Sequence, residues 1–166
     1  KLKAFAKEYS AELVTTRKAV DNDIVLCGSA AIKGASKYMG GFAMEGSDAK
    51  LLKGSVVNIG EDMVANLRGG TIEGTLSGAG SVNITGTEAS RNEVILADSG
   101  KLAVSTLFVS EYGSLKVGSK GFDMNPKYSV LTVDGNLVSQ GKIGTNQLMM
   151  NGGTLSIAGA KAANLD

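Results

Sequence analysis

The sequence predicts an all-β protein, a right-handed parallel β-helix (β-solenoid) that carries an α-helical segment at its N-terminus. Three observations predict the solenoid: similar short strands recur, small polar residues and glycine link them, and aromatic residues are few. Glycine supplies 23 of the 166 residues, tryptophan none, and tyrosine and phenylalanine four each. This composition suits a narrow interior of stacked aliphatic side chains better than a β-sandwich core, which commonly contains a large aromatic residue.

The first twenty residues, KLKAFAKEYSAELVTTRKAV, differ from the rest because they contain no glycine. Their apolar residues follow helical spacing, which predicts an amphipathic helix that ends near residues 21–23. These residues are Leu2, Phe5, Ala6, Tyr9 and Leu13. The alternative is a strand in which Leu2, Ala4 and Ala6 alternate with lysines and Phe5. We expect residues 1–23 to form a helical cap or docking segment, and residues 24–166 to form the solenoid domain.

Residues 24–53 are interpreted as short strands and turns of irregular length, and the regular part of the solenoid is expected from about residue 54. Cys27 closes the apolar run IVLC and is the only cysteine in the chain, so no internal disulfide can form. A thiol in such a run is most simply a buried side chain in a strand. The methionines Met39, Met44, Met63, Met149 and Met150 are likewise interpreted as core filler.

An imperfect repeat runs through the second half of the chain. Four phrases share an apolar alternating pair, a polar link, a glycine and a leucine two positions later: EVILADSGKLAVS (93–105), TLFVSEYGSLKVG (106–118), SVLTVDGNLVSQ (129–140) and QLMMNGGTLSIAG (147–159). Their glycines are Gly100, Gly113, Gly135 and Gly153, so the spacing is uneven and the first interval is the shortest. The repeating unit is therefore a strand–link–strand element of variable length.

Period-two alternation predicts which side chains face the interior. Leu102 and Val104, Leu115 and Val117, and Leu155 and Ile157 are predicted to point inward, and Lys101, Lys116 and Thr154 outward. Such short strands need many neighbours, which an antiparallel sandwich or barrel or a stack of parallel coils could supply. We favour the stack of parallel coils because it places similar apolar residues above one another in successive coils. Asn58, Asn83, Asn136 and Asn151 lie near strand ends, where amide side chains could form ladders.

Histidine is absent from the chain, which excludes Ser–His–Asp and Cys–His catalysis and histidine metal sites. The adjacent pair Glu61-Asp62 suits a solvated turn, because neighbours on a strand point to opposite faces. Other acidic residues are scattered over the links: Glu73, Glu88, Glu93, Asp98, Glu111 and Asp134. We predict no catalytic residue, and we expect the protein not to be an enzyme.

Two further motifs partly match known binding sites. Asp123-Met124-Asn125 has the spacing that opens a calcium loop, but the glycine and terminal glutamate of an EF-hand are missing. The glycine-rich stretch 74–86 lacks the Gly-Lys-Ser/Thr ending of a phosphate loop. We therefore predict no metal site and no cofactor-binding residues.

The balance of charged residues and the length of the apolar runs also limit the classes of partner. Seventeen basic and sixteen acidic residues give a net charge of +1, without a long run of like charge. The concentrated positive field that a nucleic-acid-binding protein needs is missing. No apolar run approaches the roughly 18 residues that span a bilayer. We expect no nucleic-acid partner and no membrane span.

The segments GGTLSIAG (152–159), GTLSGAGSVNITG (74–86) and SGKLAVS (99–105) resemble passenger domains of bacterial autotransporters and related surface adhesins. The resemblance extends over about residues 54–159. It implies secretion and display at the outer membrane of a Gram-negative bacterium. The helical segment predicted at the N-terminus departs from this pattern, and we expect the chain, which begins with Lys1, to be a piece of a longer one.

Two functions follow as hypotheses. The first is an extracellular structural or adhesive module, a stiff rod for cell-surface adhesion or for self-assembly into filaments, with itself, another surface protein or glycans as partners. The alternative is a carbohydrate-active β-helix enzyme or a tailspike-like glycan-binding protein, for which Asp98 and Asp134 are the residues to replace first.

Overall fold

The structure is a computed structural model that describes residues 42–91 and 93–157 with their side chains. Before residue 42 it describes the backbone of five strands. The described residues form the following strands: β1 (Glu12–Val14), β2 (Ala19–Val20), β3 (Ile24–Cys27), β4 (Ala31–Lys33), β5 (Lys37–Met39), β6 (Phe42–Glu45), β7 (Lys50–Leu51), β8 (Val56–Asn58), β9 (Val64–Arg68), β10 (Gly70–Ile72), β11 (Thr75–Ile84), β12 (Glu93–Leu96), β13 (Lys101–Val109), β14 (Ser114–Val117), β15 (Phe122–Asp123), β16 (Val130–Val133), β17 (Asn136–Ser139), β18 (Ile143–Gly144), β19 (Gln147–Met150) and β20 (Thr154–Ile157).

Every pairing between these strands is parallel, and it joins residues about one coil apart. Lys116 is aligned with Ile95 in the coil before and with Val138 in the coil after. Val138 is in turn aligned with Ser156, across a shorter stretch of chain. The residues described with their side chains therefore form a parallel β-solenoid of about five turns. The repeat predicted the solenoid.

Each coil has three strand segments, which we call faces 1, 2 and 3 in chain order. Face 1 is the eight-stranded sheet β1-β4-β7-β10-β12-β14-β17-β20. The long strands β11 and β13 contribute their first halves to face 2 and their second halves to face 3, and the register between them shifts between Gly78 and Ser81. Face 2 also contains β2, β5 and β8 and continues in the pair β15-β18, whereas face 3 also contains β3, β6, β9, β16 and β19.

The core lies inside the coils, where aliphatic side chains of successive turns stack on one another. Leu102, Val104, Leu115 and Val117 are buried, while Lys101, Lys116 and Thr154 are exposed, so the predicted directions are confirmed. Leu155 and Ile157 face inward as predicted but are only half-buried. Their cover is incomplete because no other described strand stacks on β20 beyond its pairing with β17.

The uneven spacing of the four phrases has a simple structural cause. Gly113, Gly135 and Gly153 occupy the corner between face 3 and face 1 of successive coils, so that full turns of different length separate them. Gly100 instead lies at the corner between face 1 and face 2. The short interval from Gly100 to Gly113 therefore joins two corners of one coil.

The predicted helix over residues 1–20 is not confirmed. Within that segment the structure describes Glu12–Val14 and Ala19–Val20, which are strands paired in parallel with β4 and β5. Neighbouring coils offer hydrogen-bond partners that outweigh a weak local helix propensity. The other residues of the segment lie outside the described part, and the domain boundary at residue 23 stays a prediction. Cys27 ends strand β3 as expected, but its side chain is outside the described residues.

Of the four residues predicted to form asparagine ladders, Asn83 alone does so among the described residues, and its partner is Asn66, which was not predicted. Asn58 is aligned with Ser77 on face 2, Asn136 lies between Ser114 and Thr154 on face 1, and Asn151 lies in a turn. The ladder that the structure contains is on face 3, where Asn83 Nδ2 donates to Asn66 Oδ1 at 3.4 Å. The four predicted residues lie on different sides of the coil and cannot stack.

Candidate functional site: the corners and the last coil

The corner between face 3 and face 1, the 3–1 corner, contains a groove that runs across successive coils. The links at this corner differ in length and occupy positions 85–92, 110–113, 134–135 and 151–153. The two-residue link is flanked by longer ones and leaves a groove of about 530 Å³. It is lined by Arg91, Glu111, Tyr112, Gly113, Ser114, Asp134, Gly135, Asn136, Gly152 and Thr154.

The side chains of this groove are polar and of mixed charge. The guanidinium of Arg91 lies over the ring of Tyr112, 4.8 Å from its centre, in a cation–π contact. Within the described residues the buried Oδ1 atom of Asp134 has no hydrogen-bond partner. The groove therefore offers one aromatic ring, one cation and two carboxylates, from Glu111 and Asp134, along the axis of the solenoid.

Glycines form the floor of the groove because the coils approach each other closely there. The amide of Asn136 donates to the carbonyl of Gly113 at 3.0 Å, and that of Thr154 donates to the carbonyl of Gly135 at 2.8 Å. A Cβ atom on Gly135 would lie 2.5 Å from the Gly113 carbonyl oxygen and closer still to that of Ser110. These glycines serve the backbone geometry, as the sequence indicated.

Asp98 lies at the corner between face 1 and face 2 and ties together two successive coils. Its carboxylate accepts hydrogen bonds from Ser119 Oγ at 3.0 Å and from the amide of Lys120 at 3.4 Å. The Ser119 hydrogen bond, with backbone amides and the Lys120 charge, outweighs desolvation and lowers the pKa of Asp98 below its ordinary value of 3.8. Asp98 therefore acts as a clamp between turns, beside a groove of about 410 Å³ that Lys101, Lys120 and Asp123 also line.

The clamp gives a pH-dependent prediction. Because the folded-state pKa of Asp98 is lowered, its contribution to stability is full above the unfolded pKa and is lost as the pH falls through the folded pKa. We expect Asp98→Asn to lower the free energy of unfolding slightly at pH 7, and the difference from the parent to shrink as the pH falls below 3.8. Denaturant titrations of both proteins from pH 7 to pH 2.5 (roughly the range over which a carboxyl titrates) would measure this, and a difference that persists undiminished in acid would contradict it.

Asp123 ends β15 on face 2, and Met124 and Asn125 follow it at the corner between face 2 and face 3; all three line a groove of about 400 Å³. The Oδ1 atom of Asn125 accepts from the amide of Lys127 at 3.0 Å, and its Nδ2 donates to Ser105 Oγ at 3.2 Å. The amide side chain is therefore engaged in the turn. No group of three or more acidic, cysteine or histidine side chains in the described part of the chain could hold a metal ion.

Of the scattered acidic residues, Glu111 and Asp134 line the same groove, whereas Asp98 lies apart from them. Asp98 and Asp134 occupy different corners of the solenoid, so they do not form a pair of carboxylates. Their separation does not bear on a role that needs only one carboxylate. Glu61 and Asp62 lie exposed in a turn, as predicted. Neither Glu61 nor Asp62 lines any of the three grooves.

The last described coil exposes side chains that earlier coils bury. Leu148 and Met150 on β19 are aligned with Leu131 and Val133, which are fully buried one coil earlier. Met150 nevertheless exposes 46% of its surface, and Leu148 is only partly buried. Together with Leu155 and Ile157 on β20 these residues form an apolar rung, which we call the terminal rung.

The interpretation of the methionines as core filler was correct for Met44, which is fully buried. It was wrong for Met149, which points outward and is 56% exposed, and for Met63, which is 36% exposed. Met150 occupies an inward position but lacks cover. The alternation in QLMM is enough to predict that Met149 points outward and Met150 inward. How far the terminal rung is exposed depends instead on what stacks upon it.

Comparison with known protein families, with curated proteins and with solved structures found no match. Among the described residues no helix is long and apolar enough to cross a membrane. The fold and the surface chemistry are therefore the grounds for a functional proposal.

Proposed function

We propose that this protein is an extracellular structural or adhesive module, a stiff right-handed solenoid rod that joins end to end into filaments. The terminal rung carries this proposal, because it places apolar side chains at one end of the described solenoid, where no described strand pairs with the far side of β19 or β20. Sheet edges of this kind attract a further strand. The occupant that fits is another coil with apolar residues at the same inward positions, such as one supplied by a second copy of the chain.

The stiffness of the proposed rod follows from the backbone hydrogen bonds between its coils. Hydrogen bonds join consecutive coils at every face and at the corners, as between Ser110 N and Ile84 O at 3.0 Å and between Gln140 N and Val117 O at 3.0 Å. The interior is filled by aliphatic side chains that contact the coils above and below. Each repeat of such a solenoid is stabilised mainly by its neighbours, which makes the rod extensible in one dimension.

The proposed location, the surface of a Gram-negative bacterium, rests on the resemblance to autotransporter passengers and surface adhesins. The proposal that the module is not an enzyme rests on the roles that its polar residues already have. Asp98 and Asn125 hold turns of neighbouring coils together. Another copy of the chain or a different surface protein is the proposed partner.

End-to-end assembly is tested by charging the terminal rung. We expect Met150→Lys to weaken self-association at least roughly tenfold, because an unpaired charge would be buried in the junction. Ser156→Lys is the matched control, since this exposed residue of β20 points outward on face 1 and should leave association unchanged. Sedimentation velocity and electron microscopy of both variants at equal concentrations measure the effect.

A second pair of variants, on β20, tests whether the effect of Met150→Lys is confined to that one position. Leu155→Asp should act like Met150→Lys, and Ser156→Asp, which is outward and exposed, should act like the parent. A parent chain that stays monomeric at all concentrations, or inward and outward variants that behave alike, would overturn the proposal.

A glycan-binding function is the second candidate, and the groove at the 3–1 corner favours it. Tyr112 supplies an amphipathic ring, and Asp134 supplies a carboxylate oxygen that lacks a partner among the described residues. Calorimetric titration with a panel of neutral oligosaccharides tests this candidate. Binding that is lost in Asp134→Asn but kept in Asp98→Asn would favour it, and the absence of binding to every sugar would remove it.

A further inference from the structure

The link between β19 and β20 contains the dipeptide Asn151-Gly152, and no other asparagine of the chain precedes a glycine. An asparagine in this context can react without an enzyme. The backbone nitrogen of the following residue attacks the side-chain Cγ atom and closes a succinimide ring, while the amide proton and the side-chain NH₂ group leave together as ammonia. Water then opens the ring to aspartate or to isoaspartate, in which the main chain continues through Cγ.

The structure leaves both reacting groups accessible. Asn151 and Gly152 are exposed, and Gly152 has a φ of 77°, which glycine adopts without strain. A Cβ atom on Gly152 would meet nothing within 4 Å, so the turn is open there. Within the part of the chain that the structure describes, no hydrogen bond engages the Gly152 amide or the Asn151 side chain. Neither group therefore has to break such a bond before the ring closes.

The equivalent corner one coil earlier is closed. Asp134 precedes Gly135 there, and it occupies the same place as Asn151 because the strands before them, β16 and β19, are aligned. The amide of Gly135 donates to the carbonyl of Val109 at 3.0 Å, and a Cβ atom on Gly135 would meet the backbone of the coil before. The link 151–153 is one residue longer than this one, which lets its turn stand away from the coil.

We propose that the open turn makes Asn151 a site of spontaneous deamidation in the folded protein, and that the isoaspartate product weakens end-to-end assembly. The effect on assembly rests on the proposed function. The link 151–153 joins the two strands of the terminal rung, and Met150 directly precedes it. Isoaspartate lengthens the main chain of this link by one methylene group and adds a carboxylate beside the rung. Both changes disfavour an apolar junction, because they disturb the alignment of the two strands and bring an unpaired charge to it.

Peptide mapping by mass spectrometry measures the modification itself. We expect aspartate and isoaspartate to accumulate at position 151 of the native parent in mildly alkaline buffer, faster than at any other asparagine. Asn151→Gln is the control, because glutamine must close a larger ring, and its deamidation should be at least roughly tenfold slower. A native rate at Asn151 that is more than about tenfold below the rate of the same chain in urea would overturn the proposal, since the turn would then protect this residue.

Asp134→Asn separates the effect of the turn from that of the dipeptide. This substitution places an asparagine before Gly135, at the closed corner. In the native protein we expect the new asparagine to deamidate roughly tenfold more slowly than Asn151, because the attacking nitrogen is held in a hydrogen bond, and in urea we expect similar rates. Equal rates at the two positions of the native variant would overturn the open turn as the cause.

Sedimentation velocity measures the effect on assembly. The isoaspartate form of the parent, separated by ion exchange, is compared with unmodified parent and with Asn151→Gln incubated for the same time. We expect the isoaspartate form to associate severalfold more weakly, and the incubated Asn151→Gln to associate like the unmodified parent. Equal association of all three would overturn the effect on assembly. A parent that is monomeric before any modification would instead refute end-to-end assembly, while the peptide maps would still decide the deamidation site.

Discussion

Replacing Gly135 with alanine is expected to lower the free energy of unfolding by about 3 kcal/mol, the upper range for overpacking in a closely packed interior. The added Cβ would meet the carbonyl oxygens of Ser110 and Gly113, which belong to the backbone of the preceding coil and cannot rotate away. Relief requires the two coils to separate at the 3–1 corner. Urea denaturation of the parent and the variant measures the loss.

Gly60→Ala is the matched control, because a Cβ there would first meet the sulfur of Met63 at 3.3 Å, a flexible side chain that can move. We expect Gly60→Ala to lower the free energy of unfolding by less than about 1 kcal/mol. If Gly135→Ala and Gly60→Ala cost the same, close approach of the coils at the 3–1 corner is not what requires glycine there. The same result would weaken the explanation of the groove floor.

Leu107→Ala is expected to destabilise the solenoid by about 3 kcal/mol, within the range of about 2–5 kcal/mol for leucine truncations in cores. Leu107 is fully buried and is aligned with Val82 in the coil before and Leu131 in the coil after. The truncation therefore leaves a cavity between three consecutive coils. The loss is measured as the change in the urea midpoint at constant m-value.

Thr106→Ala on the same strand is the control, since its side chain points outward and its replacement should change stability by less than about 0.5 kcal/mol. A loss at Thr106 equal to that at Leu107 would contradict the assignment of inward and outward rows on face 3. The measurement is made at a concentration where the chain does not associate.

The inward rows were predictable because they depend on local alternation. Leu102, Val104, Leu115 and Val117 needed no knowledge of their neighbours, since adjacent residues of any strand point to opposite sides. Glycine at the links was predictable for a similar reason. The segment around Leu13 shows where a local signal fails, because its helical spacing competes with pairing to the next coil, where Leu13 is aligned with Ile32.

The candidate surfaces were less predictable than the fold. Face 3 brings Asn66, Asn83 and Phe108 into one outward column, although a full coil of the chain separates each of them from the next. The groove at the 3–1 corner depends on a two-residue link that is flanked by longer ones. Neither feature produces a motif that can be read along the chain.

The sequence by itself determined the class of this protein: short strands that alternate inward and outward, linked by residues that turn sharply and repeated often enough to require stacking. Only the tertiary structure decided which residues share a column, which corner each glycine occupies and which rung remains exposed. The physical reason is that alternation is a property of one strand, whereas register is a property of two coils. Register depends on the links between strands, and their unequal lengths acquire meaning only when the coils are stacked.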